Sequence, residues 1–177
     1  EHCIEYYAVD KLGNTETPPK SQCVYVDNKP PIAHKEHGIP FYSKEDKDYV
    51  TTNTVMKLWC EDQDPHPVGQ NTLYWRYSKY TGEGWTGDVT YDPAGSWYSK
   101  LSDGPDDYVE VQFPNDCWHD LEYYCVDHLL NDERELNSGE PNRQFYIVDS
   151  VPPVITKKLE GPYYGDCLPE EENDLCY

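Results

Sequence analysis

The stretch Ile4-Glu5-Tyr6-Tyr7-Ala8-Val9-Asp10 recurs later in the chain as Leu121-Glu122-Tyr123-Tyr124-Cys125-Val126-Asp127. Each copy runs through a polar turn into a proline-containing segment, which reads Val26-Asp27-Asn28-Lys29-Pro30-Pro31 after the first copy and Val148-Asp149-Ser150-Val151-Pro152-Pro153 after the second. A stretch of sequence that recurs within one chain is typical of a tandem array of one folded unit. The sequence therefore predicts repeated domains.

The repeat divides the chain into one whole unit and two partial ones. Residues 1–28 are predicted to be the C-terminal hairpin of a preceding repeat, residues 29–151 a complete repeat, and residues 152–177 the start of the next. A unit of about 120 residues can bury a core of its own, whereas the flanking pieces are too short to do so. We expect adjacent repeats or other copies of the chain to complete them.

Alternating polarity predicts strands rather than helices. Residues 56–62 and 121–127 alternate apolar and polar side chains with period two, which indicates half-buried strands. Further strands are predicted at residues 72–78, 88–91, 108–113 and 143–148. Clusters of Gly, Pro, Asp and Asn between them predict turns. This pattern favours an all-β fold, an antiparallel two-sheet sandwich of the immunoglobulin-like type.

The chain is strongly acidic, with 14 basic and 34 acidic residues and a formal net charge of -20. This charge excludes nucleic acid as a partner, because binding it requires basic residues that neutralise phosphates. No apolar run approaches the ~18 residues that a membrane span needs. The acidic side chains are expected to form a solvated, repelling surface or to bind divalent cations.

Seven cysteines without a CxxC pair indicate disulfides formed in an oxidising compartment. Strand parity places Cys60 and Cys125 on inward faces, so a bond between them would join the two sheets. The remaining assignments follow from local position, with Cys3 paired to Cys23 across the first hairpin, Cys167 paired to Cys176 in the third repeat, and Cys117 left over. Cys117 is either an inert free thiol or the site of a bond to another chain.

These motifs resemble the tandem immunoglobulin-like repeats of very large archaeal and bacterial cell-surface proteins. Residues 5–14 are similar to the late strand of that family, residues 26–31 to its V-D-N-x-P-P domain end, and residues 60–69 to its C-x-D-x-x-P-H-P-x-G turn. The resemblance implies an extracellular stalk, adhesin, surface layer or filament. One departure is that Leu130 replaces Gly13, so we expect the tight glycine turn to be lost in the complete repeat.

Four carboxylates are the candidate metal ligands. In an immunoglobulin-like topology the strands before Asp62 and Asp127 end at the same pole, where the linker carrying Asp27 also arrives, and Asp64 lies just beyond Asp62. Converging carboxylates suit Ca²⁺, which takes six to eight oxygens. The alternative is that these side chains accept backbone N–H bonds in their own turns. Asp10 and Asp149 would play the same parts at neighbouring junctions.

Aromatic residues are the second feature, with 17 Tyr and 5 Trp in the chain. Trp85, Trp97, Tyr98 and Trp118 are predicted to lie in loops or at strand edges. Exposed rings could stack on surface glycans, or they could form protein–protein contact area. Between these two interpretations we favour contact with other copies or adjacent repeats.

Catalytic motifs are missing from the sequence, which contains no G-x-S-x-G, H-E-x-x-H, P-loop or dinucleotide fingerprint. His34 and His37 would point to opposite faces of a strand, which disfavours joint metal ligation. We therefore expect a non-catalytic structural repeat of an extracellular, cell-surface or filament protein that builds a rigid array and mediates adhesion. The alternative function is a carbohydrate-binding surface module.

Overall fold

The computed structural model describes residues 1–158 and shows an all-β fold, as the sequence predicts. The described residues contain a single 3-10 helix, Glu133–Asn137, and no α-helix. They also contain no helix with the length and apolar character needed to cross a membrane. The predicted pair Cys167 and Cys176, and most of the predicted third repeat, lie outside the described residues.

Twelve strands follow one another along the described chain. Their bounds are β1 His2–Tyr6, β2 Lys20–Val24, β3 Ile32–His37, β4 Phe41–Lys44, β5 Lys47–Val50, β6 Met56–Glu61, β7 Thr72–Gly82, β8 Thr86–Asp92, β9 Tyr98–Leu101, β10 Val109–Val111, β11 Cys117–Val126 and β12 Asn142–Val148.

The strands form three sheets. β1 and β2 make a two-stranded sheet, β10-β6-β3 a three-stranded sheet, and β4-β5-β12-β11-β7-β8 a larger sheet in which β9 also pairs with β7. All pairings are antiparallel except that of β5 with β12, which is parallel. This parallel pair corrects the expectation of purely antiparallel sheets. The arrangement of the two larger sheets is consistent with a β-sandwich.

The core lies between the three-stranded and the larger sheet. Met56, Leu58 and Cys60 of β6 and Leu121 and Cys125 of β11 are all 0% exposed. Period-two alternation predicts this set, because every second side chain of a strand points to the same face. Burying each large apolar side chain contributes roughly 1.5–3 kcal/mol relative to leaving it exposed.

Residues 1–158 contain two disulfides. Cys60 on β6 is bonded to Cys125 on β11, so this bridge joins the two sheets as strand parity predicts. Cys3 is bonded to Cys23, directly opposite it in the β1–β2 hairpin. Cys117 is a free, half-buried thiol whose Sγ donates to the carbonyl oxygen of Tyr80, 2.9 Å away.

Candidate metal centre between the linker and the strand ends

Three of the four predicted carboxylates converge. Asp27 lies between β2 and β3, Asp62 directly follows β6, and Asp127 directly follows β11. One carboxylate oxygen from each lies within 4.8 Å of those of the other two. Asp64 does not belong to this group. It is exposed, and its main-chain oxygen accepts a hydrogen bond of 2.6 Å from Lys29 Nζ.

Asp127 is held by the turn that it begins. The side chain is 4% exposed, and its Oδ1 accepts the backbone N–H of Asn131 at 2.8 Å. The Asn131 amide nitrogen donates to Asp127 Oδ2 at 2.7 Å and to the main-chain oxygen of Asp27 at 3.3 Å. Asn131 therefore connects the linker to the end of β11.

Asp62 organises the loop after β6. Its Oδ1 accepts the N–H of Gln63 at 2.9 Å, and its Oδ2 accepts those of Val68 at 2.7 Å and Gly69 at 3.1 Å. These bonds fold the loop back onto Asp62. Asp62 and Asp127 thus accept backbone N–H groups in their own turns, as the second interpretation of the sequence predicts. Their carboxylates also lie close to each other and to that of Asp27, which is the arrangement that the calcium hypothesis requires.

Asp27 differs from its two neighbours. Its Oδ1 accepts the N–H of Lys29 at 3.0 Å, but its Oδ2 is buried without a hydrogen-bond partner. A buried polar atom left unpaired costs on the order of 1–3 kcal/mol, and more when it belongs to a charged group. A cation between the three carboxylates would satisfy this oxygen and offset their repulsion. The donor set, made only of hard oxygens, fits Ca²⁺.

The turn at Asp127 has a counterpart at Asp10. Asn14 donates to Asp10 through its N–H at 2.9 Å and through its side-chain nitrogen at 2.7 Å, as Asn131 does to Asp127. Leu130 adopts φ 70°, close to the φ of 88° at Gly13. The expectation that Leu130 abolishes the tight turn is therefore wrong. The Asp127–Asn131 bonds enforce the left-handed conformation, and the Leu130 side chain is 78% exposed, so it meets no steric barrier from the core.

Glu133 is a structural residue that the sequence patterns did not identify. It is 4% exposed, and its Oε2 accepts the backbone N–H of Cys125 at 2.9 Å. Glu16 makes the equivalent bond with the N–H of Ala8, at 3.2 Å. A sequence signal was available, because a glutamate follows the turn asparagine by two positions in both copies.

Trp85 and Trp118 pack against each other rather than forming a flat platform. Their ring centroids are 4.5 Å apart with planes at 81°, and Trp85 also lies 5.2 Å from Phe145 with planes at 61°. The Trp85 indole donates to the main-chain oxygen of His119 at 2.9 Å. Both tryptophans are half-buried.

Trp97 and Tyr98 belong to other contacts. Trp97 packs edge-on to Tyr124, with centroids 5.0 Å apart and planes at 83°, and the Arg76 guanidinium lies 4.3 Å from its ring centroid. Tyr98 donates its hydroxyl to Asp92 at 2.7 Å. The four predicted contact aromatics are therefore divided between separate clusters.

His34 and His37 do not share a ligand site. His34 stacks on Trp59, while His37 is hydrogen-bonded to Tyr146 at 2.8 Å and stacks on Phe41. They occupy opposite faces of β3, as strand geometry predicts.

The functional inference therefore rests on the geometry of the chain, because comparison with known proteins gives no relative. No protein-family model, curated protein or solved structure matches this chain.

Proposed function

We propose that this chain is a non-catalytic structural segment of an extracellular surface or filament protein, built from tandem immunoglobulin-like repeats. In this proposal residues 29–151 are a complete repeat, residues 1–28 end the preceding one, and residues 152–177 begin the next. Its partners are adjacent repeats of the same polypeptide or other copies of it, and it mediates adhesion as part of that array.

The observation that carries the proposal is the matching carboxylate turn at Asp10 and Asp127. Both turns use an asparagine four residues on, a positive φ before it and a glutamate after it. The hairpins differ in burial, however. Ile4 is 65% exposed, whereas Leu121 at the matching position is 0% exposed. The two hairpins thus have the same turn but differ in the burial of their strands. This difference is expected if the first hairpin belongs to a copy of the same unit whose remaining strands do not surround it.

The junction supports a stiff array. Asp27 and Asp149 occupy equivalent places, since each accepts the N–H of the residue two positions on, at 3.0 Å in both cases. A Ca²⁺ ion held by Asp27, Asp62 and Asp127 would tie the linker to the strand ends of the following domain. Pro30 and Pro31 are buried and restrict the linker backbone further. Rigid joints give an extended rod, which holds its ends far apart and transmits force between them.

The alternative function, a carbohydrate-binding module, has less support. Stacking on a sugar uses the open face of a ring, but the planes of Trp85 and Trp118 meet at 81° and both side chains are half-buried. The same rings can supply contact area to another protein copy.

Calcium is expected to stabilise the chain through this junction. At about one hundred times the dissociation constant, a ligand that binds only the folded state adds about 2.7 kcal/mol of unfolding free energy. Calorimetry in millimolar Ca²⁺ and in chelator should show this difference as a rise in Tm of several degrees. Asp27→Asn should abolish most of the rise, because it removes the carboxylate whose Oδ2 is unpartnered.

Asp64→Asn is the matched control, because Asp64 lies two residues after Asp62, in the loop that follows β6, but outside the carboxylate group. It should respond to calcium like the unmodified chain. Equal Tm values in calcium and chelator, or equal losses in the two variants, would contradict the proposed junction.

A further inference from the structure

Lys35 points into the interior of the sandwich. On β3 it lies directly opposite Leu58, which is 0% exposed, so both side chains occupy the same inward face. The Lys35 amine lies 5.4 Å from the ring centroid of Tyr146 and 5.9 Å from that of Tyr123. A lysine in this position needs a specific polar partner, because burial of an unpaired ammonium is costly.

That partner is the carboxamide of Gln144. Lys35 Nζ is 2.8 Å from Gln144 Oε1. Gln144 lies on β12 opposite Leu121, so it also faces inward. Its Nε2 donates to Asp48 Oδ2 at 2.5 Å. Asp48 in turn lies beside the buried Tyr146 in the parallel β5–β12 pair. Three strands thus bring an amine, a carboxamide and a carboxylate into one chain of contacts.

These three groups have complementary reactivity. Burial lowers the pKa of Lys35 to about 8, so about a tenth of the molecules carry a neutral amine at pH 7. A neutral lysine amine is a nucleophile, and lysines desolvated in this way serve as one in covalent chemistry. Its target, the Gln144 carbonyl carbon, is bonded to the oxygen that the amine already contacts. Asp48 contacts the nitrogen that would leave.

We propose that Lys35 and Gln144 become joined by an intramolecular isopeptide bond, with Asp48 as the proton carrier. The Lys35 nitrogen attacks Gln144 Cδ, and the new N–C bond forms as the bond from Cδ to Nε2 breaks. Asp48 takes the proton released by the attacking amine and delivers it to Nε2, which departs as ammonia. Asp48 is unchanged at the end, and no oxidant or cofactor is needed.

The bond would clamp the two sheets across the whole domain. Lys35 belongs to the three-stranded sheet and Gln144 to the larger one, and together they enclose nearly all the residues between the two linkers. In a rod, tension that enters before β3 and leaves after β12 would pass through this bond. That mechanical use rests on the proposed function, but formation of the bond does not.

Mass spectrometry of the reduced and alkylated chain tests the proposal directly. After incubation of the folded protein at about pH 8, where about half of the Lys35 amines are neutral, crosslinking should be complete. The intact mass should then be lower by about 17 Da, the mass of the ammonia lost in the transfer, than the mass calculated for the reduced and alkylated sequence. Fragmentation should yield a branched peptide joining Lys35 to Gln144.

Variants distinguish the ammonia lost in forming this bond from ammonia lost at other residues. Lys35→Arg and Gln144→Ala should each have the full mass of their own sequence, and Asp48→Asn should crosslink more slowly. Gln112→Ala is the control, because Gln112 is an exposed glutamine outside the cluster, and it should keep the loss.

The proposal would be overturned if the folded chain without substitutions kept the full mass calculated for its sequence. It would also be overturned if the loss of ammonia mapped to any other residue. This outcome is independent of the calcium response, so failure of the isopeptide bond and failure of the proposed function can be told apart.

Discussion

Replacing Cys60 and Cys125 together by alanine is expected to lower the free energy of unfolding by about 4 kcal/mol, because the bridge closes a long loop in the unfolded chain. The two residues are 65 apart in sequence, and both are 0% exposed. The bond also connects the two sheets of the core. Denaturation with urea, followed by the tryptophan fluorescence of the core domain, measures this loss.

The second disulfide supplies the control. Cys3 and Cys23 join strands of the separate two-stranded sheet, and both are exposed. Replacing this pair by alanine should leave the main unfolding transition within about 0.5 kcal/mol of the original, as for other exposed sites away from the core. A Cys60/Cys125 variant that unfolds at the same urea concentration as the Cys3/Cys23 variant would contradict the assigned role of the inter-sheet bridge.

Glu133→Ala is expected to lower the free energy of unfolding by about 3–4 kcal/mol, because it removes a buried carboxylate that accepts hydrogen bonds from three donors. Glu133 accepts the backbone N–H of Ala33 and Cys125 and the side-chain nitrogen of Asn142, each at 2.9 Å. These donors belong to β3, β11 and β12, so the carboxylate ties together both sheets. Thermal or urea unfolding of the variant provides the measurement.

Two further variants make the test of Glu133 specific. Glu133→Gln keeps one acceptor oxygen and should lose about half as much stability, since a single oxygen cannot serve all three donors. Glu135→Ala alters an exposed residue of the same 3-10 helix and should change stability by no more than about 0.5 kcal/mol. Equal effects of Glu133→Ala and Glu135→Ala would show that the hydrogen bonds contribute nothing.

Strand periodicity explains why the core disulfide could be predicted. Period two fixes which face each residue of a strand occupies, so Cys60 follows Met56 and Leu58 inward without knowledge of the partner strand. Strands β4 and β5 could not be predicted because both are short and show no apolar alternation. All of β4, at the edge of the larger sheet, is exposed, and only Val50 of β5 is fully buried. The parallel pairing of β5 with β12 joins segments far apart in sequence and leaves no local signal.

The site shows the same division between local and non-local information. Asp62 and Asp127 could be placed because each directly follows a predictable strand. Asp64 could not, because the hydrogen bonds from Val68 and Gly69 to Asp62 determine the path of that loop. Glu133 is buried although its sequence context resembles a surface helix. Its burial follows only from the donors that three separate strands bring to it.

The cluster around Lys35 depends wholly on tertiary structure. Charged and amide residues in strands are usually assigned to solvent, and nothing local indicates that Lys35, Asp48 and Gln144 all face inward. Their contacts become visible only when β3, β5 and β12 are placed side by side.

The most direct test of the cation-dependent joint is ¹⁵N relaxation of the whole chain in calcium and in chelator. With calcium bound, the amides of β1 and β2 are expected to share one rotational correlation time with those of β6 and β11, because Asp27 fixes the linker to the strand ends. In chelator, and in Asp27→Asn under both conditions, the hairpin should reorient faster than the domain. Identical relaxation of the hairpin in calcium and in chelator would contradict a joint made by Asp27, Asp62 and Asp127.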